Sequence, residues 1–359
     1  MHAMPAETYS VVDMHTAAEP VRIVVGGYPT LAGKTILEKR RDAKTRFDRI
    51  RRVLMLEPRG HEGMYGVIPT DPCDPGADLG VLFMHNEGYS TMCGHATIAI
   101  GRWAIESGRV KANEKNGAAH FTLEAPCGLL KVTSQIADGK VTSSSFESVP
   151  SFASHFDCSV DVPGLGPLTF DIAYGGAFYA ILPASQLGMS FWETPLPTLV
   201  DAGTRITDAT RAAIAIRHPS EPDLGFLYGT ILIDDAAPDS SEPSYNLCIF
   251  AEGQIDRSPT GSGATARMAL DYARGRIGAG VTREFRGVSG VGFTAEISEA
   301  AGEGLAARVR VRVGGASSFM AESTFTVESD DPLPQGFQLP QRFADLKEPR
   351  DYTESGPPI

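Results

Sequence analysis

Apolar and small residues fill nearly every position from Ala96 to Ser107 and again from Ala264 to Arg274. A segment that is apolar almost all round reads as a buried helix. Each run is followed by a glycine suited to a C-terminal cap, Gly108 in one case and Gly275 in the other. Cys93 and Thr260, just ahead of the two runs, lie 167 positions apart. The same offset places Gly94 on Gly261, Ala99 on Ala266 and Arg109 on Arg276. It also places the apolar triplet Val81 to Phe83 on Cys248 to Phe250. A strand–turn–helix unit repeated in this way predicts two related halves that face each other.

The rest of the pattern predicts a mixed α/β chain with many short strands. Strand composition covers 9–12 and 21–25, and a basic helix-like segment runs from about 34 to 55. The short apolar run 81–84 reads as a buried strand. Segments 121–123, 129–133 and 140–146 read as a meander. In the second half, strands at 170–174 and 178–182 flank Gly175-Gly176, and a helix is expected over 202–216. Further strands are expected at 226–233, 245–250, 292–297, 306–313 and 319–327. SVPSFASHFD suggests a boundary near 150. The expected domains are therefore 8–150, completed by about 324–350, and 151–323.

Composition narrows the class. The chain has 359 residues, 42% of them hydrophobic, enough for two domains with real cores. A net charge of −12 argues against nucleic-acid or anionic-membrane partners. The basic run KRRDAKTRFDRIRR (39–52) reads as a solvated helix face. Five irregularly spaced cysteines do not form a disulfide framework, and there is no CxxC pair. The start lacks an apolar leader core, and no stretch reaches the roughly 18 apolar residues of a membrane span. These features lead us to expect a soluble cytoplasmic protein with reduced thiols.

The two helix starts are where chemistry is expected. First-turn amides have no partner inside a helix, and the dipole adds positive charge there, so an anion is stabilised. A thiol at that point ionises more easily, which makes Cys93 a candidate base. Gly94 lets a ligand approach the backbone, as Gly261 does in the second copy. Thr260-Gly261-Ser262 is suited to gripping an anion, but an alcohol is no comparable base. The cleft is expected to hold a single ionisable sulfur. Taken singly, Cys93, Asp256 and His95 read as a small buried residue, a helix-start or turn residue and a first-turn histidine bonded to backbone. The matched second copy is what raises them above that reading.

The segments DMHTAAEP (13–20), EPRGH (57–61), FMHNEGYSTMCGH (83–95), DIAYGGAFYA (171–180) and DRSPTGSGATA (256–266) resemble the proline racemase family. That resemblance implies a diaminopimelate epimerase-like fold, with two pseudo-symmetric domains each wrapped around a central buried helix and the active site between them. Racemases of the family carry cysteine at both helix starts. Here Thr260 takes the second place, a pattern similar to the trans-3-hydroxy-L-proline dehydratases. The resemblance implies that Cys93 accepts the α-proton and that Thr260 contacts substrate without ionising. It implies that Gly94, His95, Gly261 and Ser262 bind substrate, that Asp256 accepts from the ring nitrogen, and that Phe250 forms an apolar wall. His15, Glu19, Arg59 and His61 read as support of the cleft. No metal or organic cofactor is expected, and family analogy points to a homodimer. The expected reaction is dehydration of trans-3-hydroxy-L-proline to Δ1-pyrroline-2-carboxylate. The rivals are a proline racemase, a hydroxyproline 2-epimerase and a non-catalytic imino-acid binder.

Overall fold

Both apolar runs form helices of 13 residues, Gly94–Glu106 and Gly261–Ala273, and the 167-residue offset holds at their first residues. Gly108 and Gly275 follow them in the left-handed region, at φ 68° and 69°. These values come from a computed structural model, which describes residues 6–111, 113–340 and 343.

In chain order the first series is β1 (Glu7–Thr16), β2 (Glu19–Gly26), α1 (Ile36–Arg46), α2 (Asp48–Met55), β3 (Tyr65–Thr70) and β4 (Leu79–His85). It continues with β5 (Tyr89–Ser90), α3 (Gly94–Glu106), β6 (Asn113–Lys115), β7 (Ala118–Ala125), β8 (Gly128–Ala137) and β9 (Lys140–Glu147). The second series opens with β10 (Phe152–Val162), β11 (Gly166–Tyr174), β12 (Phe178–Pro183), α4 (Leu196–Ala213), β13 (Leu227–Ile233) and β14 (Ser244–Phe250). It closes with β15 (Gln254–Ile255), α5 (Gly261–Ala273), β16 (Thr282–Arg286), β17 (Gly292–Ala301), β18 (Arg308–Gly315) and β19 (Ser317–Val327).

The pairings repeat as the sequence does. In the first half β1 and β2 form a hairpin, β2 runs parallel to β3, β3 antiparallel to β4 and β4 parallel to β7. Antiparallel β7, β8 and β9 complete the series. The second half follows the same rule through β11, β12, β13, β14, β16, β17 and β18. Antiparallel β9 and β18 join the halves. The final strands are exchanged: β10 pairs with β11, and β19 returns to pair with β1. Within this frame α3 packs on β1, β2, β8, β9 and β19, and α5 on β10, β11, β12, β17 and β18. Each half therefore surrounds one helix, which is why these helices carry apolar residues on all sides.

Some local expectations change. The basic segment breaks at Phe47 (φ −127°, ψ 12°) into two helices. Its basic face is not wholly solvated, because Lys39, Arg40 and Arg51 are buried. Arg40 donates to the Tyr89 carbonyl (2.5 Å) and Arg51 to the His85 carbonyl (2.9 Å), so the cations tie the helices to β4 and β5. Helix α4 starts at Leu196, ahead of the expected 202, with Pro195 at its cap and Pro197 in its first turn. The segment read as a boundary forms β10, with Phe152, Ala153, Val160 and Val162 buried. The chain re-enters the first half at Ser317. Of the expected completing segment, 341–342 and 344–350 lie outside the described residues. No helix among the described residues is long and apolar enough to cross a membrane.

Candidate active site

The starts of α3 and α5 meet at the centre of the molecule. A Cβ on Gly94 would stand 2.4 Å from the Gly261 Cα, and one on Gly261 would stand 2.7 Å from the Gly94 Cα. Only glycine at both positions permits this approach. The first intrahelical bonds are donated by Thr97 to Cys93 O and by Ala264 to Thr260 O. The amides of 94–96 and 261–263 thus have no carbonyl partner within their own helices. Both helix starts, with both dipoles, meet at a cavity between the halves that Gly94, His95, Thr260 and Ser262 line. Two converging donor sets of this kind suit a single carboxylate.

Cys93 caps α3 at φ −147° and is buried. Its Sγ lies 3.2 Å from His95 Nδ1. The expectation of an easily ionised thiol needs correction, because burial pushes the Cys93 thiol well above its usual range. The Ala96 amide and the Tyr65 hydroxyl act in the opposite direction, and the Asp256 and Glu19 carboxyls reinforce the rise. Burial also pushes His95 down to about 3, so its imidazole is neutral, and both shifts hold the resting pair as thiol and imidazole. A thiolate–imidazolium pair is neutral overall, which makes it cheaper to bury than a lone thiolate. The His95 ring is held by the Pro20 carbonyl, and its own carbonyl accepts from Thr16 Oγ1 at 2.9 Å. The turn between β1 and β2 therefore fixes the first turn of α3.

The second helix start is not a conformational copy of the first. Thr260 sits at φ 61°, ψ 89°, a left-handed conformation costly for a β-branched residue. Its Oγ1 is buried beside the Cys248 thiol and the Asp256 carboxyl, whose charged forms it stabilises, without an aligned hydrogen bond among the described residues. A strained residue holding its hydroxyl at the cavity wall is a candidate ligand contact. Asp256 Oδ1 accepts from the Ser258 amide (2.8 Å), and burial raises the Asp256 carboxyl to about 6. Ser262 shares a hydrogen bond of 2.7 Å with the Tyr179 hydroxyl. Phe250 stacks on Tyr228, ring centroids 5.4 Å apart and planes 11° from parallel.

The cavity gathers Cys93, Gly94, His95, Phe250, Asp256, Thr260 and Ser262, while Gly261 forms the helix contact beside them. Glu19, Tyr65, Met92, Tyr179, Tyr228 and Cys248 also line it. Cys248 brings a second sulfur to the cleft, where a single ionisable one is expected. It is fully buried, and burial with the Asp256 charge keeps its thiol protonated. The signal for it was available: Cys248 stands two residues before Phe250 on β14, so both share one face of the strand. His15, Arg59 and His61 are not among the lining residues. Arg59 pairs with Asp331, and His61 is exposed and bonded to the Glu62 carbonyl. No cluster of three or more His, Cys, Asp or Glu suited to a metal occurs among the described residues.

Comparison with known proteins agrees with this geometry. The proline racemase family model matches residues 11–338. A trans-L-3-hydroxyproline dehydratase of Xenopus tropicalis is 46% identical over 331 residues, covering 92% of this chain and 95% of the relative. A trans-3-hydroxy-L-proline dehydratase of Homo sapiens is 46% identical over 333 residues, covering 92% and 94%. A solved hydroxyproline epimerase of Agrobacterium vitis, with bound trans-4-hydroxy-L-proline, superposes with a TM-score of 0.86 at 26% identity, covering 94% of this chain and 96% of that one. With a family match over most of its length and the paired helix starts in place, this chain belongs to the proline racemase family.

Proposed function

We propose that the protein is a hydro-lyase that dehydrates trans-3-hydroxy-L-proline to Δ1-pyrroline-2-carboxylate without a cofactor. The observation that carries this reading is the asymmetry of the site: Cys93 with its His95 partner at one helix start, and the alcohol of Thr260 at the other. Relatives that share 46% identity bear the dehydratase name.

The substrate carboxylate sits at the paired helix starts, where first-turn amides such as those of Gly94, His95 and Ser262 bind the charge that grows as the α-proton leaves. Asp256 accepts from the ring ammonium. His95 takes the thiol proton, and the Cys93 thiolate removes the α-hydrogen, a general-base step worth about 10²–10⁴-fold. Phe250 and Tyr228 supply an apolar wall, and the closed cavity holds base and substrate together. The electron pair forms the C2–C3 double bond as the C3–O bond breaks and the oxygen takes up a proton. The resulting enamine tautomerises to the cyclic imine.

Elimination suits one base. In trans-3-hydroxy-L-proline the hydroxyl is trans to the carboxylate, hence on the same ring face as the α-hydrogen. Both departing groups then face the Cys93 side. Two-base racemisation needs a proton source on the opposite face, and the Thr260 hydroxyl is too weak an acid to be one. The acidic chain acts on a free imino acid in the cytoplasm, as a homodimer by family analogy.

The test is an assay against proline and the stereoisomers of 3- and 4-hydroxyproline, with detection of both imine and epimer. Imine from trans-3-hydroxy-L-proline, with little inversion of proline, is expected. Efficient inversion with no imine sinks the reading.

A further inference from the structure

The departing hydroxyl needs a proton, and most cavity groups are poor sources of it. The His95 ring is already engaged by Cys93 Sγ at 3.2 Å and by the Pro20 carbonyl. The Tyr65 hydroxyl bonds Ser90 Oγ and acts on the Cys93 thiol, that of Tyr179 bonds Ser262, and burial raises both phenols well above their usual range. Cys248 lies on β14, on the Thr260 side of the cavity. Asp256 must be an anion to accept from the ring ammonium.

Glu19 is differently placed. It begins β2, directly after the turn that holds the start of α3, and its side chain lines the cavity. It is completely buried. Oε2 accepts from the Arg257 main-chain amide at 2.7 Å and from Arg257 Nη1 at 3.3 Å. Oε1 is buried and has no hydrogen-bond partner among the described residues. One oxygen is thus anchored across the cleft to the second half, while the other is left for something the cavity admits. Burial and the neighbouring Asp256 charge raise the Glu19 carboxyl well above the usual carboxylate range, despite Arg257. A neutral carboxyl is also what a buried oxygen without a donor requires.

We propose that Glu19 is the acid of this reaction, its unpartnered Oε1 delivering the proton that leaves with the C3 hydroxyl. The inference rests on the dehydratase reading and names the group that reading lacks. The step balances. The C2–H bond breaks toward Cys93 sulfur, its electron pair becomes the C2–C3 double bond, and the C3–O pair leaves with the oxygen. The oxygen takes the Glu19 proton and departs as water. Glu19 is left an anion and regains a proton from solvent on product release, as His95 gives up to solvent the proton it took from the thiol. Neither oxidation nor reduction occurs.

The test compares two leaving groups in Glu19→Gln. Glutamine keeps an oxygen for the Arg257 amide but has no acidic proton. Hydroxide must be protonated to leave, whereas chloride leaves without a proton. Turnover of trans-3-hydroxy-L-proline should fall about 10²–10⁴-fold, the usual worth of a general acid. Turnover of trans-3-chloro-L-proline should stay within tenfold of wild type, which also shows that the variant folds. Equal losses on both substrates make Glu19 a structural clamp on Arg257 and overturn the proposal, as does an unimpaired hydroxyl rate. Glu19→Asp, an acid one methylene short, is the second variant: its hydroxyl rate should fall at least tenfold more than its chloride rate, and equal effects overturn the proposal. Wild type that fails to convert trans-3-hydroxy-L-proline sinks the dehydratase reading itself, a result distinct from any of these.

Discussion

Gly94 and Gly261 touch backbone to backbone, each occupying the space a side chain on the other would need. They are equivalent positions in the two halves, so the pseudo-symmetry axis passes between them. This contact brings two helix N-termini to one point, and the carboxylate site follows from it.

Gly94→Ala should therefore damage both fold and function. The added methyl meets backbone, which cannot move aside as a side chain can. Overpacking of this kind costs about 1–3 kcal/mol, and parting the helix starts widens the carboxylate site. A lower Tm together with a KM raised at least tenfold is expected. Gly261→Ala should behave alike. An unchanged KM in both variants contradicts the assignment of the carboxylate to this point.

Cys93→Ser should abolish turnover, by about 10³-fold or more, while substrate binding by calorimetry survives. Serine preserves the size and the helix start but has no thiolate to pair with His95. Retention of most of the turnover removes Cys93 from the role of base.

Thr260→Cys should add a proton donor to the opposite face of the ring. Measurable proline racemisation, or epimerisation of 4-hydroxyproline, is the expected gain. Loss of the β-branch at φ 61° should also relieve strain, on the order of 1 kcal/mol, so the variant should fold. Wild type already holds Cys248 in the cavity; α-deuterium exchange into D-proline by the unmodified protein indicates that this thiol reaches the second face.

Asp256 sets an acid limb. Its carboxyl is raised from 3.8 to about 6, and only the anion accepts from the ring ammonium. kcat/KM should fall about tenfold per pH unit below about 6. The same shift has a consequence for stability. Because the folded value lies above the unfolded one, this group's contribution is full below about 3.8 and is lost as pH rises through about 6. Asp256→Asn should therefore raise the Tm at pH 8 while lowering activity. A Tm unchanged at pH 8 shows that Asp256 is solvated rather than buried.

Much of this was legible in the chain because the two central helices are enclosed. An element apolar on every side has a signature that local polarity does not disturb, and the 167-residue offset carries over to the helix starts. Strand β10 was missed because its outward residues, such as Ser154 and Asp157, read as linker while Phe152 and Val160 are buried. Arg40 and Arg51 were read as solvated because the partners that draw them inward include backbone carbonyls of β4 and β5, which no composition displays. Within the site, the residues close in sequence to the two helix starts were visible. Those brought by distant strands, Tyr65, Tyr179 and Tyr228, were not, since nothing local ties a tyrosine on β3, β12 or β13 to Cys93. Glu19 was seen only as support, and its free oxygen emerges when both halves are assembled around it.

The exchange of β10 and β19 makes the two repeats inseparable. Cutting the chain between β10 and β11 gives two fragments, each ending in a strand whose place is in the other. Neither fragment satisfies its own first strand, so the pair should fold only on mixing. The molecule is in effect a covalently linked, strand-swapped dimer, and its one active site belongs to neither repeat.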